Sequence, residues 1–299
     1  MVEQIPFNKC DLIASVLMTA FNRDNYIAEA IESVLNSTYQ NFELIIVDDA
    51  STDQTVSIAK EFALKDQPVK VYVNDQNLGD YPNRNKAASY AKGKYIKYVD
   101  SDDRISPEGL NVMVEAMEQY PEAAFGFCDA KEDRYANYPV FYTGEEALRK
   151  HFLGGGLLQA GPASTIIRLD AFKKIGGFSC KRYISDYEAW LRFCLSFPVL
   201  ILPPNLVWIR THAGQENDVG KLAYYHLNYD LHKNFIQHTD NPFTETERNK
   251  LLYNYRILLG RRAIQRLVKW FGLRKTLQTI RAAGESPAIF FWALMPMKK

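Results

Sequence analysis

Tyr95-Ile96-Lys97-Tyr98-Val99-Asp100-Ser101-Asp102-Asp103 is the stretch on which the reading of the whole chain turns. Its opening residues, Tyr95 to Val99, are β-branched, aromatic or long-stemmed and read as a mostly buried strand. Carboxylates then crowd in at Asp100, Asp102 and Asp103, and Ser106-Pro107-Glu108 reads as the cap and first turn of a helix. An acidic cluster therefore occupies the loop at the carboxyl end of a strand, where open α/β sheets place their ligands. Crowded carboxylates repel one another, so the arrangement costs stability unless a cation neutralises it. Hard oxygen ligands suit Mg²⁺ or Mn²⁺, and Mg²⁺ uses only one or two carboxylates alongside substrate phosphates. A plain helix-capping acidic turn explains the same residues, because acidic side chains favour helix N-termini.

Outward from this stretch, strands and helices alternate. Leu12 to Met18 is an apolar strand ending in Thr19-Ala20-Phe21-Asn22-Arg23. Asp24 or Asn25 is expected to cap a helix whose apolar residues Ile27, Ala30, Ile31, Val34 and Leu35 keep helical spacing. Phe42 to Val47 is a second buried strand, ended by Asp48-Asp49-Ala50-Ser51. A helix over about 53–64, a strand at 69–73, a turn at Asn77-Leu78-Gly79 and a helix from Pro82 to about Ala91 lead back to the acidic strand. This alternation predicts a mostly parallel, Rossmann-like α/β sheet with flanking helices. Thr19–Arg23, Asp48-Asp49 and Asp100–Asp103 should then line one crevice, a stronger signal than any one cluster.

The pattern changes further on. Residues 123–128, 163–168 and 206–210 read as strands, and 131–139 as polar and irregular. Gly154-Gly155-Gly156 reads as a mobile loop. A short helix over 170–175 is closed by Gly176-Gly177, and a helix over 186–197 is stopped by Pro198. Beyond Lys221 only helices are expected, with Leu251, Ile257, Leu258, Ile264, Leu267 and Val268 on apolar faces. The division is a body over 1–220 and a helical, basic extension over 221–299.

The apolar fraction of 47% and aromatic fraction of 13% support a full core in a chain of 299 residues. The net charge of +1 hides an asymmetry: from Gly260 onward, nine Lys/Arg face a single acid, Glu285. That segment is strongly cationic and leaves an acidic body, a split that points to a polyanionic surface as partner. No nucleic-acid recognition motif accompanies it, so nucleic acid is not expected. Cys10, Cys128, Cys180 and Cys194 are scattered, without zinc or redox spacing, and read as reduced buried thiols of a cytosolic protein. No signal peptide or membrane span is expected. Ala14 to Asn22 contains no glycine, which disfavours a nucleotidyltransferase phosphate loop and a G-x-G-x-x-G dehydrogenase alike.

In order and spacing, the clusters resemble inverting glycosyltransferases of family 2, which have the GT-A fold. The resemblance covers roughly residues 10–215. Leu17 to Arg23 resembles the first-strand signature, whose threonine and aromatic positions (Thr19, Phe21) flank the nucleotide base, with Arg23 at the donor side. Asp48 of Ile46-Val47-Asp48-Asp49-Ala50-Ser51 matches the aspartate that accepts a hydrogen bond from the base. Asn77-Leu78-Gly79 with Arg84-Asn85 matches the segment along the donor sugar-phosphate, which makes Gly79 and Arg84 donor-binding candidates. Asp100-Ser101-Asp102-Asp103 matches the DxD signature, with Asp100 and Ser101 toward the donor and Asp100 and Asp102 toward the metal. Ile175 to Phe178, Asp186 and Trp190-Leu191-Arg192 resemble the acceptor-side signature, in which Asp186 is the general base. Arg210-Thr211-His212 resembles a late element whose histidine approaches the metal or diphosphate.

The family pattern has Glu-Asp at the base motif, whereas this chain has Ser185-Asp186, with Glu188 two residues on. The resemblance implies transfer of a sugar from a nucleotide-sugar, with UDP the default base, to a saccharide or lipid-linked saccharide hydroxyl. Individually the residues have plainer explanations: Arg84 and Arg192 as surface charges, His212 as structural, Phe21 as core and Asp186 as a helix cap. A non-catalytic sugar- or partner-binding protein on the same fold is the main rival. In the cationic tail, Trp270, Phe271, Phe290, Phe291 and Trp292 interleave with the charges, as in an amphipathic helix at an anionic membrane interface. That pattern predicts a peripheral location at the inner face of the cell membrane. Packing of the same aromatics on the chain's own body, or in a homodimer, is the alternative.

Overall fold

The computed structural model describes residues 12–128, 137–212, 221–269 and 272–298. Its centre is an eight-stranded sheet in the order β3-β2-β1-β4-β8-β6-β9-β7. The strands are β1 (Ala14–Ala20), β2 (Phe42–Asp48), β3 (Val69–Val73), β4 (Tyr95–Tyr98), β6 (Phe125–Phe127), β7 (Val140–Tyr142), β8 (Thr165–Arg168) and β9 (Val199–Ile201). β1 to β4 run parallel, β8 runs antiparallel to both β4 and β6, and β9 is parallel to β6. The expected mostly parallel sheet is present, and β8 and β7 are its reversed members. A separate antiparallel pair joins β5 (Arg104–Ile105) to β10 (Val207–Trp208).

Strand periodicity explains the layers. Leu17, Ile45, Val47, Ile96 and Tyr98 point to one face, while Val16, Met18, Leu44, Ile46 and Tyr95 point to the other. Both faces are covered, so these strands read as nearly continuous apolar runs. On the first face lie α3 (Asp80–Tyr90), α5 (Gly144–Leu153), α6 (Leu169–Lys174) and α7 (Ser185–Cys194). The second face holds α1 (Ile27–Leu35), α2 (Thr55–Lys65) and α4 (Gly109–Gln119). With β1 between β2 and β4, the carboxyl ends that carry Thr19–Arg23, Asp48-Asp49 and Asp100–Asp103 are neighbours.

The C-terminal part is helical: α8 (Lys221–Gln237), α9 (Glu245–Lys269), α10 (Gly272–Ala282) and α11 (Ile289–Trp292). Ile236, Phe243 and Leu251 enter the core of the body, where Phe152 stacks on Phe235 at 5.5 Å. Farther out, Tyr229, Leu259, Ala263, Ile280, Ala283 and Ile289 form a small core of their own. Gly260 lets α11 lie against α9, because a Cβ there would sit 2.4 Å from the Ile289 carbonyl oxygen.

Some expectations need correction. α1 starts after Tyr26 with no side-chain cap; neither Asp24 nor Asn25 fills that role. The preceding loop is instead tied to the loop after β2: Asn22 Oδ1 accepts from Thr52 N, Arg23 N donates to Thr55 Oγ1 and Asp24 N donates to Asp53 Oδ2. α4 begins at Gly109, with Ser106-Pro107-Glu108 as a turn before it. Cys128 and Cys194 are buried as expected, but Cys180 is exposed. It lies on the irregular segment between α6 and α7, with backbone φ +63°. Cys10, the irregular segment over 131–136, Trp270 and Phe271 lie outside the described residues. Among the described residues, no helix is long and apolar enough to cross a membrane.

The turn into β4 is anchored at the far end of the sheet. Gly93 N donates to Ser15 Oγ, which donates to buried Glu43, itself paired with Lys70 at 2.6 Å. A Cβ on Gly93 would lie 2.6 Å from Ser15 N and 2.7 Å from the Ala14 carbonyl carbon, both immovable backbone. Gly93→Ala should therefore cost about 1–3 kcal/mol as overpacking. Chemical denaturation checks this, and an unchanged midpoint would contradict the close approach.

Candidate active site

The crevice begins where β1 ends. Phe21 is 43% exposed at its rim, so it is not a core residue. Asn22 takes a left-handed φ of +52°, a conformation asparagine tolerates, and this turns the chain so that Arg23 faces back across the sheet. Arg23 Nε donates to Asp102 Oδ2 at 2.9 Å. Asp48, at the end of β2, is fully buried and accepts from Ser51 N at 2.8 Å and Ser51 Oγ at 2.5 Å. Its neighbour Asp49 organises the next loop, accepting from Asn74 Nδ2, Leu78 N and Gly79 N at 2.7–2.9 Å. Gly79 has φ +89° and ψ 168°, a backbone region almost confined to glycine, and it starts α3.

Arg84 of α3 reaches into the acidic cluster. Its Nε binds Asp80 Oδ1 at 2.7 Å, and its Nη2 lies 2.8 Å from Asp100 Oδ1. The Asp100 contact is close but misaligned, so that oxygen has no well-formed hydrogen bond, and Arg84 Nη1 is buried without a partner. Burial, with the charges of Asp102 and Asp80, holds the Asp100 carboxyl above its ordinary value despite Arg84. Asp102 faces the other way, where its Oδ2 also meets His212 Nε2 at 3.0 Å. Ser101 between them is buried. Asp103 is pushed up to about 7 by burial and the Asp100 charge, against the pull of the Arg210 N–H that it accepts at 2.9 Å. Arg210 Nε also donates to the Asp102 carbonyl at 3.0 Å, and its guanidinium pairs with Glu29 of α1.

Asp186 lies in the first turn of α7 and accepts from Tyr187 N at 2.7 Å. Its carboxyl is pushed up to about 6, chiefly by burial, while hydrogen bonds from Tyr187 N and the Tyr81 hydroxyl and the charge of Arg84 pull it down. Asp186 thus has Tyr81, Asp80 and Arg84 around it, and of these Asp80 and Arg84 also face Asp100. Ser185 is buried, and its hydroxyl donates to the Lys181 carbonyl at 2.7 Å. Glu188 is bound by Ser179 and by Lys181 Nζ at 3.2 Å, so it is committed to the loop before α7. Arg192 is structural here: its guanidinium holds the carbonyls of Ile175 and Gly177. Asn85 binds the Phe178 backbone on both sides, at 2.8 and 3.0 Å.

Residues 15–176 match the glycosyl transferase family 2 profile. The chain belongs to glycosyl transferase family 2 and is a glycosyltransferase. It is 27% identical over 217 residues to the glycosyltransferase GlyG of Streptococcus pneumoniae, covering 68% of this chain and 72% of that one. It is 31% identical over 150 residues to the putative teichuronic acid biosynthesis glycosyltransferase TuaG of Bacillus subtilis, covering 48% of this chain and 59% of TuaG. Among solved structures, S. aureus TarS 1–349 in complex with UDP-GlcNAc superposes with a TM-score of 0.69 at 19% identity, covering 90% of this chain and 79% of that one. The mannosyltransferase PcManGT of Pyrobaculum calidifontis, in complex with GDP-Man and Mn²⁺, gives 0.60 at 17% identity, covering 95% and 79%. These likenesses give the chain the GT-A fold, as its motifs imply.

Of the residues singled out from sequence, Arg23, Asp102 and His212 meet at one point, and Arg84, Asp100 and Asp186 share a second. Asp100 and Asp102 thus face different partners. Among the described residues, no three His, Cys, Asp or Glu side chains converge as a closed metal cage. Asp102 with His212, beside Asp100, still fits an open site of the kind Mg²⁺ or Mn²⁺ shares with phosphate oxygens. Tyr81 and Asp80 escaped the sequence reading, and Asp49 and Arg210 fell within its motifs without the roles the structure gives them. Asp80 and Arg84 at i, i+4 on a helix were the one local signal available.

Asp49→Ala strips three donors of their acceptor, one from Asn74 and two from the backbone of Leu78 and Gly79. The expected loss is about 2–3 kcal/mol, the range for hydrogen bonds to a charged group. A melting temperature equal to that of the unsubstituted protein would show that the loop is held otherwise.

Proposed function

We propose that this glycosyltransferase inverts the configuration at the anomeric carbon, moving a sugar from a nucleotide-diphosphate donor, with UDP-sugars the first to test, to a hydroxyl acceptor. The observation that carries this reading is the shared environment of Asp186, Tyr81, Arg84 and Asp100: a carboxylate base faces the cation that binds the DxD loop. When the donor bond breaks, negative charge grows on the terminal phosphate. Arg84 has a buried, unpartnered Nη1 with which to bind a phosphate oxygen in a charge-assisted hydrogen bond. A Mg²⁺ or Mn²⁺ ion at Asp102 and His212, with Asp100 beside them, would add Lewis-acid stabilisation of that charge. At the other end, Thr19, exposed Phe21 and buried Asp48 would take the nucleotide base. Asp186 accepts the acceptor hydroxyl's proton as it attacks from the opposite face, so no covalent intermediate is needed.

The acceptor belongs to a cell-surface polymer, by analogy with TuaG, of teichuronic acid biosynthesis, and the B. subtilis minor teichoic acid biosynthesis protein GgaB. The C-terminal helices fit a peripheral site on an anionic membrane. Phe291 and Leu294 are 72% and 80% exposed, with Met295 and Met297 half-exposed and Arg261 and Lys298 beside them. Among the described residues, much of the remaining tail packs inward on its own small core, although Leu273 of α10 is 61% exposed.

Asp186→Asn keeps the size of the side chain but cannot take the proton, and should lower kcat on the order of a hundredfold or more with donor KM nearly unchanged. A parallel loss of donor affinity would move Asp186 to the donor site. A base must be ionised, and the folded carboxyl titrates near 6. The rate should therefore be full above about pH 7 and fall about tenfold per unit below pH 6.

Phe291→Ser with Leu294→Ser should abolish co-sedimentation with phosphatidylglycerol vesicles at low salt, and neutral vesicles should bind neither protein. If the unsubstituted protein stays in the supernatant, the membrane assignment fails. Truncation at Gly260 is a poorer test, since it cuts α9 and exposes the core that Leu259 and Ala263 fill.

A further inference from the structure

Behind Asp186, three side chains link α5, α7 and α8 in one line. His151 Nδ1 accepts the backbone N–H groups of Leu157 and Leu158, each at 2.9 Å. A ring nitrogen that accepts carries no proton, so neutral His151 holds its hydrogen on Nε2. That nitrogen lies 2.5 Å from the Tyr187 hydroxyl and donates to it. Among the described residues, the acceptor for the hydroxyl's own hydrogen is then His232 Nε2 at 2.6 Å. His232 in turn carries its proton on Nδ1. Both rings are kept neutral by burial, His151 pushed down to about 4 and His232 to about 3, the latter also by the nearby charges of His151 and Arg262.

We infer that His151, Tyr187 and His232 form a one-directional hydrogen-bond chain that sets the rotation of α7 and thereby holds the Asp186 carboxylate toward the acceptor. They are positioning residues, and their effect on rate rests on the reading of Asp186 as the base. Adjacent residues on an α-helix point about 100° apart, so pinning Tyr187 fixes where Asp186 faces. Tyr187 is buried and its ring lies between the two histidines, at 5.3 and 5.4 Å. Its N–H also binds Asp186 Oδ1, so the pin and the base are one backbone unit. Two further segments are recruited. The glycine run Gly154-Gly155-Gly156 leads into the amides that fix the His151 tautomer. The helical extension supplies His232, whose ring packs on Tyr255 of α9 at 4.3 Å. The extension therefore reaches the reacting centre through a defined set of hydrogen bonds.

Two measurements on the full chain test this. In ¹⁵N-histidine NMR of the unliganded protein near neutral pH, assigned with His151→Gln and His232→Gln, His151 should appear as the Nε2–H tautomer and His232 as the Nδ1–H tautomer. The opposite tautomer at His151, or a cationic ring at either site, overturns the chain whatever Asp186 does. Tyr187→Phe keeps the ring and removes only the hydroxyl. It should lose between about tenfold and a hundredfold in kcat, as misplacement of a reacting group does, with donor KM within about twofold. The acid limb of its rate profile should move below the unsubstituted enzyme's, because a loosened Asp186 is better solvated. His232→Gln, whose amide oxygen can accept from the tyrosine, should keep more activity than His232→Ala. Unchanged kcat and pH profile in a folded Tyr187→Phe enzyme refutes the positioning role. An active Asp186→Asn enzyme refutes the base and leaves the tautomer result standing.

Discussion

The structure depends on holding Asp80, Asp100, Asp102 and Asp103 in one hollow without letting their mutual repulsion open it. Each carboxylate is met by a cation or donor brought from elsewhere in the chain. Arg84 of α3 faces Asp80 and Asp100, while Arg23 after β1 and His212 near the end of the body meet Asp102. Arg210 fastens Asp103 and the Asp102 carbonyl to α1 through Glu29. The compensation is incomplete, since burial still holds Asp100 and Asp103 above ordinary carboxylate values. In the proposed mechanism, this surplus negative charge and the unpartnered arginine N–H would meet a divalent cation and a diphosphate together.

That arrangement follows from sheet order. Placing β1 between β2 and β4 brings three strand ends side by side, and the two loops after β1 and β2 are laced to each other by Asn22, Arg23 and Asp24. Those long-range bonds replace the helix cap that local sequence predicts at Asp24 or Asn25. They also aim Arg23 at Asp102, which a cap at the same place would not do. The proposed acceptor side is built differently, from α7 with Tyr187 bonded between two histidines and the C-terminal helices packed behind it.

What could be read from the amino acids was what repeats locally. β1, β2 and β4 are nearly continuous apolar runs, so the parallel half of the sheet was legible to within about two residues at the ends of its elements. β7 and β9, at three residues each, and the two-residue β5 gave no such signal, whereas β10 lies within the strand expected over 206–210. α5 was overlooked although Thr143 and Glu146 spell a capping box, which the structure contains. At the site, the DxD loop and Asp186 stood out by type and spacing. Asp49 and Arg210 fell within motifs but without their roles, and the histidine pair around Tyr187 did not stand out, because those roles exist only once distant segments meet. Glu188 shows the converse: it stands near the position where the family pattern has a glutamate, yet Ser179 and Lys181 bind it to the loop before α7.

The central claim is a single displacement, with Asp186 opposite the leaving diphosphate and no covalent intermediate. The anomeric configuration of the product is its most direct test. An α-linked nucleotide-sugar that raises the melting temperature in the presence of Mn²⁺ identifies a usable donor. With that donor and an acceptor that turns over, proton NMR of the first product reads the coupling at the new anomeric centre. The account predicts a β-linked product from the outset; an α-linked product would mean retention and contradict it.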